Sequence, residues 1–358
     1  LLQRKARLRA PDYLIVFFGV WTAFCLVIHH GLFSTYLVDS SRGDIESVGY
    51  EAVAVALLET AGAYLLARVV ITGPAQCVAI MCAFTVAEAR TGVNAFGIYE
   101  GAGINELRFG LYRAAGTFPH SILWGLFAAT PFAYFAARAL WKRRPGAGAL
   151  ALASLIGVAT SVSSTAVLAV AVQGASLGWA KVMRVKRRWT LLALGGFAAY
   201  AAIEAISSRP AINVVISRLS FSAETGYMRL IQWDYGWREV MASPIVGIGM
   251  RAWERPDWLS ASIDSFWLAL SIRFGLVAPA ALLLAMILLL AHAARAYKRN
   301  AGSPDVRLLI RVWSITVVSL AIAGLAVHFW AQSLVVFFFL LGCHGGLTKT
   351  AARAPARS

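Results

Sequence analysis

At 358 residues, with 59% apolar and 14% charged side chains and a mean hydropathy of +0.68, the chain lies far from the balance of a soluble globular domain. Its formal charge of +16 would suggest a nucleic-acid partner in a soluble protein. Here the cations fall in the joints between apolar stretches, where the positive-inside rule places them, so DNA and RNA are excluded as partners.

A spanning helix needs about 20 mostly apolar residues, and such stretches recur along the sequence; the expected fold is all-α, a polytopic bundle of about ten transmembrane helices forming a single membrane domain over residues 1–358. Cys25, Cys77, Cys82 and Cys343 stand in apolar runs without ligand spacing and read as small buried hydrophobes. The chain opens at Leu1 on a basic segment, Arg4, Lys5, Arg7 and Arg9, which has the character of an interior joint rather than a signal peptide. Further N-terminal spans are expected upstream.

In chain order, Tyr13 to Phe33 is the first span, and the acidic loop Asp39 to Ser47 is expected outside. Val48 to Ile71 returns, ending at Arg68 and the Gly73-Pro74 break, and Ala75 to Ala89 leads out to an outer loop over 91–119. His120 to Leu140 comes back to the basic cluster Lys142-Arg143-Arg144. Ala147 to Ala180 is too long for one helix and has basic clusters at both ends, which predicts a hairpin of two helices turning at residues 160–165. Lys181 to Arg188 is the strongest cytoplasmic marker; Trp189 to Ile206 then runs outward to a long outer loop, 207–262. Ile263 to Leu290 returns as one span, and Leu308 to Ala326 and Phe329 to Leu347 form a last hairpin around His328.

On this topology Lys5, Lys142, Lys181, Lys186, Lys298 and Lys349 all lie inside, while the cations of the outer loops are arginines. Arginine binds phosphate and carboxylate as a planar, bidentate fork, whereas lysine is a point charge, so an anionic ligand on the outer face is expected.

Within the long loop, Gly226 to Ala242 has helical spacing: Arg229, Trp233 and Trp237 recur at i, i+4, and Asp234 precedes Arg238 by four, the favourable order for an ion pair. Pro244 should end this amphipathic helix, which is expected to lie at the interface with its tryptophans at headgroup depth. In the shorter loop Arg108, Arg113 and His120 cluster near a helix start, where an anion is favoured; Thr117 is placed to cap that helix, with Pro119 in its first turn. Asp264 stands at the start of another helix, as a macrodipole partner or as a carboxylate base. Arg273 lies deeper on that helix, where a charge costs about 2.5 to 3.5 kcal/mol, so it needs a partner; Glu51 and Glu59 are candidates.

The run Arg229-x3-Trp233, then Pro244-x2-Gly247-x-Gly249, then Leu268-x6-Gly275-Leu276, resembles the signature of the O-antigen ligase and polymerase family of bacterial inner membranes. Gly116-Thr-Phe-Pro-His120 is similar to the family's G-x-F-x-H/N segment, and residues 160–165 stand where members carry a T-x-S-R-G turn. The resemblance implies a GT-C-like, multi-spanning, metal-independent inverting glycosyltransferase without cofactor, its active face periplasmic. It would take a glycan from undecaprenyl diphosphate to a sugar hydroxyl, polymerising O-antigen or exopolysaccharide repeat units. Arg229, Arg113 and Arg108 would hold the diphosphate, Asp264 and His120 would be catalytic, and Arg238, Arg273 and Trp233 would surround them. The partners implied are the undecaprenyl-diphosphate-linked oligosaccharide, a glycan acceptor, membrane lipids and a polysaccharide assembly complex.

Where ligases carry His-Asn, this chain has Asp264-Ser265, and the middle turn has Ser163-Ser164 in place of its arginine, which favours a polymerase over a ligase to lipid A core. A transporter or flippase of an anionic lipid-linked glycan is the alternative from another class, on the in-span residues Glu51, Glu59, Glu88, Glu204 and Arg273.

Overall fold

A computed structural model describes residues 10–30, 38–39, 44–45, 57, 85–92, 107–116, 118–183, 185, 187–208, 211, 214, 223–330 and 332–353. It is mostly helical, 75% helix against 2% strand. The elements run α1 (Ala10–His30), β1 (Val38–Asp39), β2 (Asp44–Ile45), β3 (Leu107–Arg108), β4 (Leu111–Tyr112), α2 (Ser121–Ala129), α3 (Phe132–Lys142), α4 (Pro145–Thr160), α5 (Ser164–Val182), α6 (Arg188–Ile206), α7 (Ala223–Ala242), α8 (Phe266–Phe274), α9 (Val277–Arg299), α10 (Pro304–Ala323) and α11 (Gln332–Arg353). Residues 85–91 are helical as well.

Among the described residues, five helical segments are long and apolar enough to cross a membrane: Ser121–Lys142, α5, α6, α9 and α10. Shorter apolar helices lie at Tyr13–Cys25, Gly146–Thr160 and Gln332–Leu347. The chain is therefore built as a membrane-embedded helical protein. Apart from residue 57, the expected span over 48–71 lies outside the described residues, as does the 75–84 part of the span expected over 75–89.

The contacts divide the chain into two compact units, one comprising 1–71, 232–314 and 330–358, the other 72–231 and 315–329. In the first, α1 packs along α9 and touches α8, while α9 also packs on α8 and α11. Its core includes Phe18 stacked on Phe338 at 5.4 Å and Phe266 edge-on to Phe337 at 5.8 Å. In the second, α2 and α3 pack on α4 and α5. Trp124, wholly buried, meets Phe118 and Phe127 there.

The hairpin expected over 147–180 is present as α4 and α5. Its turn is residues 161–163, with Val162 at φ 46 and Ser161 and Ser163 buried. The span expected from His120 to Leu140 is also present, as Ser121–Lys142, but it is interrupted at Thr130-Pro131 into α2 and α3. The physical reason is visible on α5. An unbroken helix would join the Ala133 N–H to the Ala129 carbonyl. Instead the fully buried Gln173 side chain inserts between them: its Oε1 accepts from Ala133 N at 2.9 Å and its Nε2 donates to Ala129 O at 3.0 Å. A side chain inserted into the ladder is a recognised cause of a kink, and the proline fixes where it falls.

The all-α expectation holds for the chain at large, and among the described residues strand is confined to two short antiparallel pairs, 38–39 with 44–45 and 107–108 with 111–112. Leu107 pairs with Tyr112 and Arg108 with Leu111 as an antiparallel hairpin, and its two loop residues, Phe109 and Gly110, have φ 54 and 75. Positive φ at both positions is the type I′ geometry that suits the twist of a two-residue hairpin.

Candidate functional site

The part of the chain carrying the spaced glycines folds as one locked backbone knot in the first unit. The expected single span 263–290 is broken: α8 ends at Phe274, Gly275 takes φ 69 and ψ 177, and α9 begins at Val277. A helix end leaves carbonyls without partners, and here they are met from elsewhere in the chain. Ile248 N donates to Ile272 O and Gly249 N to Arg273 O, both at 2.9 Å, while Leu276 N donates to Pro244 O at 2.7 Å. Trp21 on α1 donates its indole N–H to Phe274 O at 3.2 Å.

The glycines permit this approach. Gly247 and Gly249 have φ 67 and 66. A Cβ on Gly247 would lie 2.5 Å from Ile272 O, and one on Gly275 would lie 1.9 Å from Ile245 O. Pro244-x2-Gly247-x-Gly249 and Gly275-Leu276 are thus two halves of a single contact.

Arg273 closes the knot. Its Nη1 donates to Gly249 O at 3.1 Å and to the Arg251 carbonyl. The expected acidic partners, Glu51 and Glu59, lie outside the described residues. The helix that carries Arg273 stops one residue later, and through Nη1 the side chain ties the 249–251 loop to that helix end.

Asp264 precedes this helix and is half-buried. The cap itself is Ser265, whose Oγ accepts from Leu268 N at 3.3 Å. Asp264 is held by Gln232 of α7, a residue only 5% exposed: Gln232 Oε1 accepts from Asp264 N at 3.0 Å, and its Nε2 donates to Ser262 O at 3.1 Å. One amide thereby grips the backbone on both sides of Ile263 and fixes where the carboxylate starts.

The helix expected over 226–242 is present as α7, and its Asp234–Arg238 pair forms at 2.6 Å with both side chains exposed. Such a surface pair contributes little, about 0.3–0.5 kcal/mol. Its buried face differs from an ordinary apolar stripe. Gly226, Arg229, Gln232, Gly236 and Val240 are buried, spaced three or four apart and therefore on one side of the helix. Gly236 admits Leu268 and Ile272 of α8 at close range. Trp237 is exposed, and Trp233 is half-buried with its indole N–H meeting no acceptor among the described residues. Arg238 turns outward with Asp234, away from the face that buries Arg229.

In the second unit, residues 113–116 are held on one side by the carboxylate of Glu88 and on the other by the 160–165 turn. Glu88, 1% exposed, accepts from Ala115 N at 3.0 Å and Gly116 N at 2.9 Å. Arg113, 5% exposed, donates through Nε to Ser161 O at 3.4 Å, and Ala114 N donates to Thr160 O at 2.9 Å. Gly125 lets α2 lie against this turn, since a Cβ there would fall 2.4 Å from the Ser161 hydroxyl. His120 is the N-cap of α2, its Nδ1 accepting from Ile122 N at 3.1 Å. The cap expected at Thr117 falls outside the described residues. Arg108 stays on the β3–β4 hairpin.

Among the described residues, no group of three or more His, Cys, Asp or Glu side chains is placed to hold a metal ion. No protein-family model and no curated protein matches this chain.

Gln232 and Glu88 organise these two sites; Gln232 is not among the sequence candidates, and Glu88 is named there only as an in-span ionisable residue. Gln232 does carry a signal, standing three residues after Arg229 on the same helical face. Glu88 carries one too, as a carboxylate in an apolar run, where a charge must find donors.

Proposed function

We propose that this protein transfers a glycan from a lipid diphosphate to a sugar hydroxyl at a membrane surface, as a polymerase of undecaprenyl-diphosphate-linked repeat units with the GT-C-like, roughly ten-span architecture and periplasmic active face that the family resemblance implies. One observation carries the reading: Gln232, on the buried polar face of α7 that also holds Arg229, grips the turn that presents Asp264. A fixed carboxylate is suited to a hydroxyl nucleophile, and an arginine on the helix that supplies its anchor is suited to an anionic leaving group.

In the proposed reaction, the acceptor hydroxyl oxygen attacks the anomeric carbon and its proton passes to the Asp264 carboxylate. The bond from that carbon to the diphosphate oxygen breaks with inversion. The electron pair leaves on undecaprenyl diphosphate, whose growing charge Arg229 stabilises. Trp237, exposed on the same helix, offers a face on which a sugar can stack. Arg113 and His120 are assigned no step, because Arg113 bonds the 160–165 turn and His120 Nδ1 is taken up by the α2 cap.

The experiment is a deletion strain complemented with wild type, Asp264→Ala, Gln232→Ala and, as a surface control, Asp234→Ala, with surface glycans and lipid-linked intermediates profiled together. The deletion should accumulate single lipid-linked repeats. Wild type and Asp234→Ala should restore polymer, Asp264→Ala should not, and Gln232→Ala should restore it only in part. Polymer that is complete but missing from lipid A core would replace this reading with a ligase. Unchanged glycans in every strain would refute glycan transfer altogether.

A further inference from the structure

The corner between α9 and α10 belongs to neither site and collects positive charge around one phenol. Arg307 and Arg311, one turn apart on α10, converge on Tyr297 near the end of α9. The Arg307 Cζ lies 4.3 Å from the ring centroid and that of Arg311 5.3 Å, and Arg311 Nη2 donates to the Tyr297 hydroxyl. Like charges four residues apart on a helix repel each other. The Nε of Arg307 is buried and meets no hydrogen-bond acceptor among the described residues, an arrangement that is costly for a guanidinium N–H.

The surroundings strengthen the field. Arg295, Lys298 and Arg299 are exposed on the last turns of α9. From 295 to 311 the one acidic residue is Asp305. Both α9 and α10 are long and apolar enough to span a membrane, so their joined ends stand at the depth of lipid headgroups.

We propose that this corner is a binding site for a phosphate group, supplied in the membrane by the headgroup of an anionic phospholipid. The ring of Tyr297 lies close under the Arg307 guanidinium with Arg311 beside it, so two planar donors are gathered before the anion arrives. The Tyr297 oxygen accepts from Arg311, and its own O–H hydrogen is directed to a phosphate oxygen. The exposed cations of α9 add long-range attraction, which salt screens more than it screens the contact itself. The site is independent of glycan transfer.

The test uses the full chain purified in an uncharged detergent. It is titrated with micelles containing phosphatidylglycerol, with micelles containing phosphatidylcholine, and with inorganic phosphate, reading the thermal unfolding midpoint and the lipid retained in native mass spectra. Phosphatidylglycerol should raise the midpoint and be retained; phosphatidylcholine should do neither. Arg307→Gln combined with Arg311→Gln should weaken retention by about tenfold or more, the loss expected for a charge-assisted hydrogen bond, and Lys298→Gln with Arg299→Gln by less. Should the double arginine variant not fold, Tyr297→Phe and Arg307→Lys, which keep the charge and lose the gathered donors, are expected to weaken retention in the same direction. Phosphatidylglycerol bound no better than phosphatidylcholine, or bound equally by all these variants, overturns the site. Inorganic phosphate matching phosphatidylglycerol overturns the lipid assignment.

Discussion

Replacing Gly275 with alanine tests the backbone knot directly. Gly275 sits at φ 69 and ψ 177, a region open essentially to glycine, and forcing another residue there costs about 1–3 kcal/mol. The added Cβ would also lie 1.9 Å from Ile245 O and 2.3 Å from Ile245 C, which are backbone atoms that no rotamer change can move aside. The loop must retreat, and with it go the bonds from Ile248 N, Gly249 N and Leu276 N, each contributing about 0.5–1.5 kcal/mol net. The expected loss is therefore at least about 3 kcal/mol, measured by denaturant-titrated unfolding in mixed micelles. Two controls separate the terms. Gly110→Ala has a similar φ of 75 with open space around it, so it should cost only the conformational part, about 1–2 kcal/mol. Gly195→Ala, inside α6 with nothing near its Cβ, should be neutral or stabilising by up to about 1 kcal/mol. A Gly275→Ala protein as stable as the Gly110→Ala control would refute the packing of the 244–249 loop on the end of α8.

Other substitutions follow the same accounting. Gln173→Leu keeps the volume and strips both partners from the Ala129 carbonyl and the Ala133 N–H; two buried backbone groups left unmet should cost about 2–6 kcal/mol in the same unfolding assay. Glu88→Ala removes the acceptor of two buried amides and should cost about 2 kcal/mol or more, whereas Glu88→Gln keeps one amide acceptor and should recover part of that loss. If Glu88→Ala were instead as stable as wild type, the carboxylate would not be holding residues 115–116.

Periodicity and charge reached the elements whose causes are local. The α4–α5 hairpin was legible because a 34-residue apolar run with cations at both ends and a polar Thr-Ser-Val-Ser-Ser-Thr centre has few other ways to fold. The course of α7 to its stop before Pro244 was legible from spacing alone, and so was the Asp234–Arg238 pair. The two broken spans were not. In hydropathy, residues 263–290 and 120–140 read as continuous, since neither Gly275 nor Pro131 interrupts the apolar character. What makes each break tolerable lies about 30 to 40 residues away, in the 244–249 loop for one and in Gln173 for the other.

The same distance explains where the polar residues place their hydrogen bonds. A reading that looks for reactive groups picks Asp264, Arg113, Arg273 and His120, because a charge or an imidazole stands out in an apolar chain. In the fold, Arg273 and His120 spend at least part of their bonding capacity on backbone: loop carbonyls for one and the Ile122 amide for the other. Gln173, Gln232 and Glu88 do the same. An irregular backbone segment inside a membrane protein must find partners within the protein, because lipid offers none, so most polar side chains near a break are committed before any ligand arrives. On that argument the residues left to meet a substrate are those on a face already organised by such commitments. Asp264 stands at such a place, because Gln232 holds its backbone amide and so fixes where its side chain begins. The Asp264→Ala and Gln232→Ala pair should therefore differ in kind: loss of the first removes the reacting group, and loss of the second only its placement.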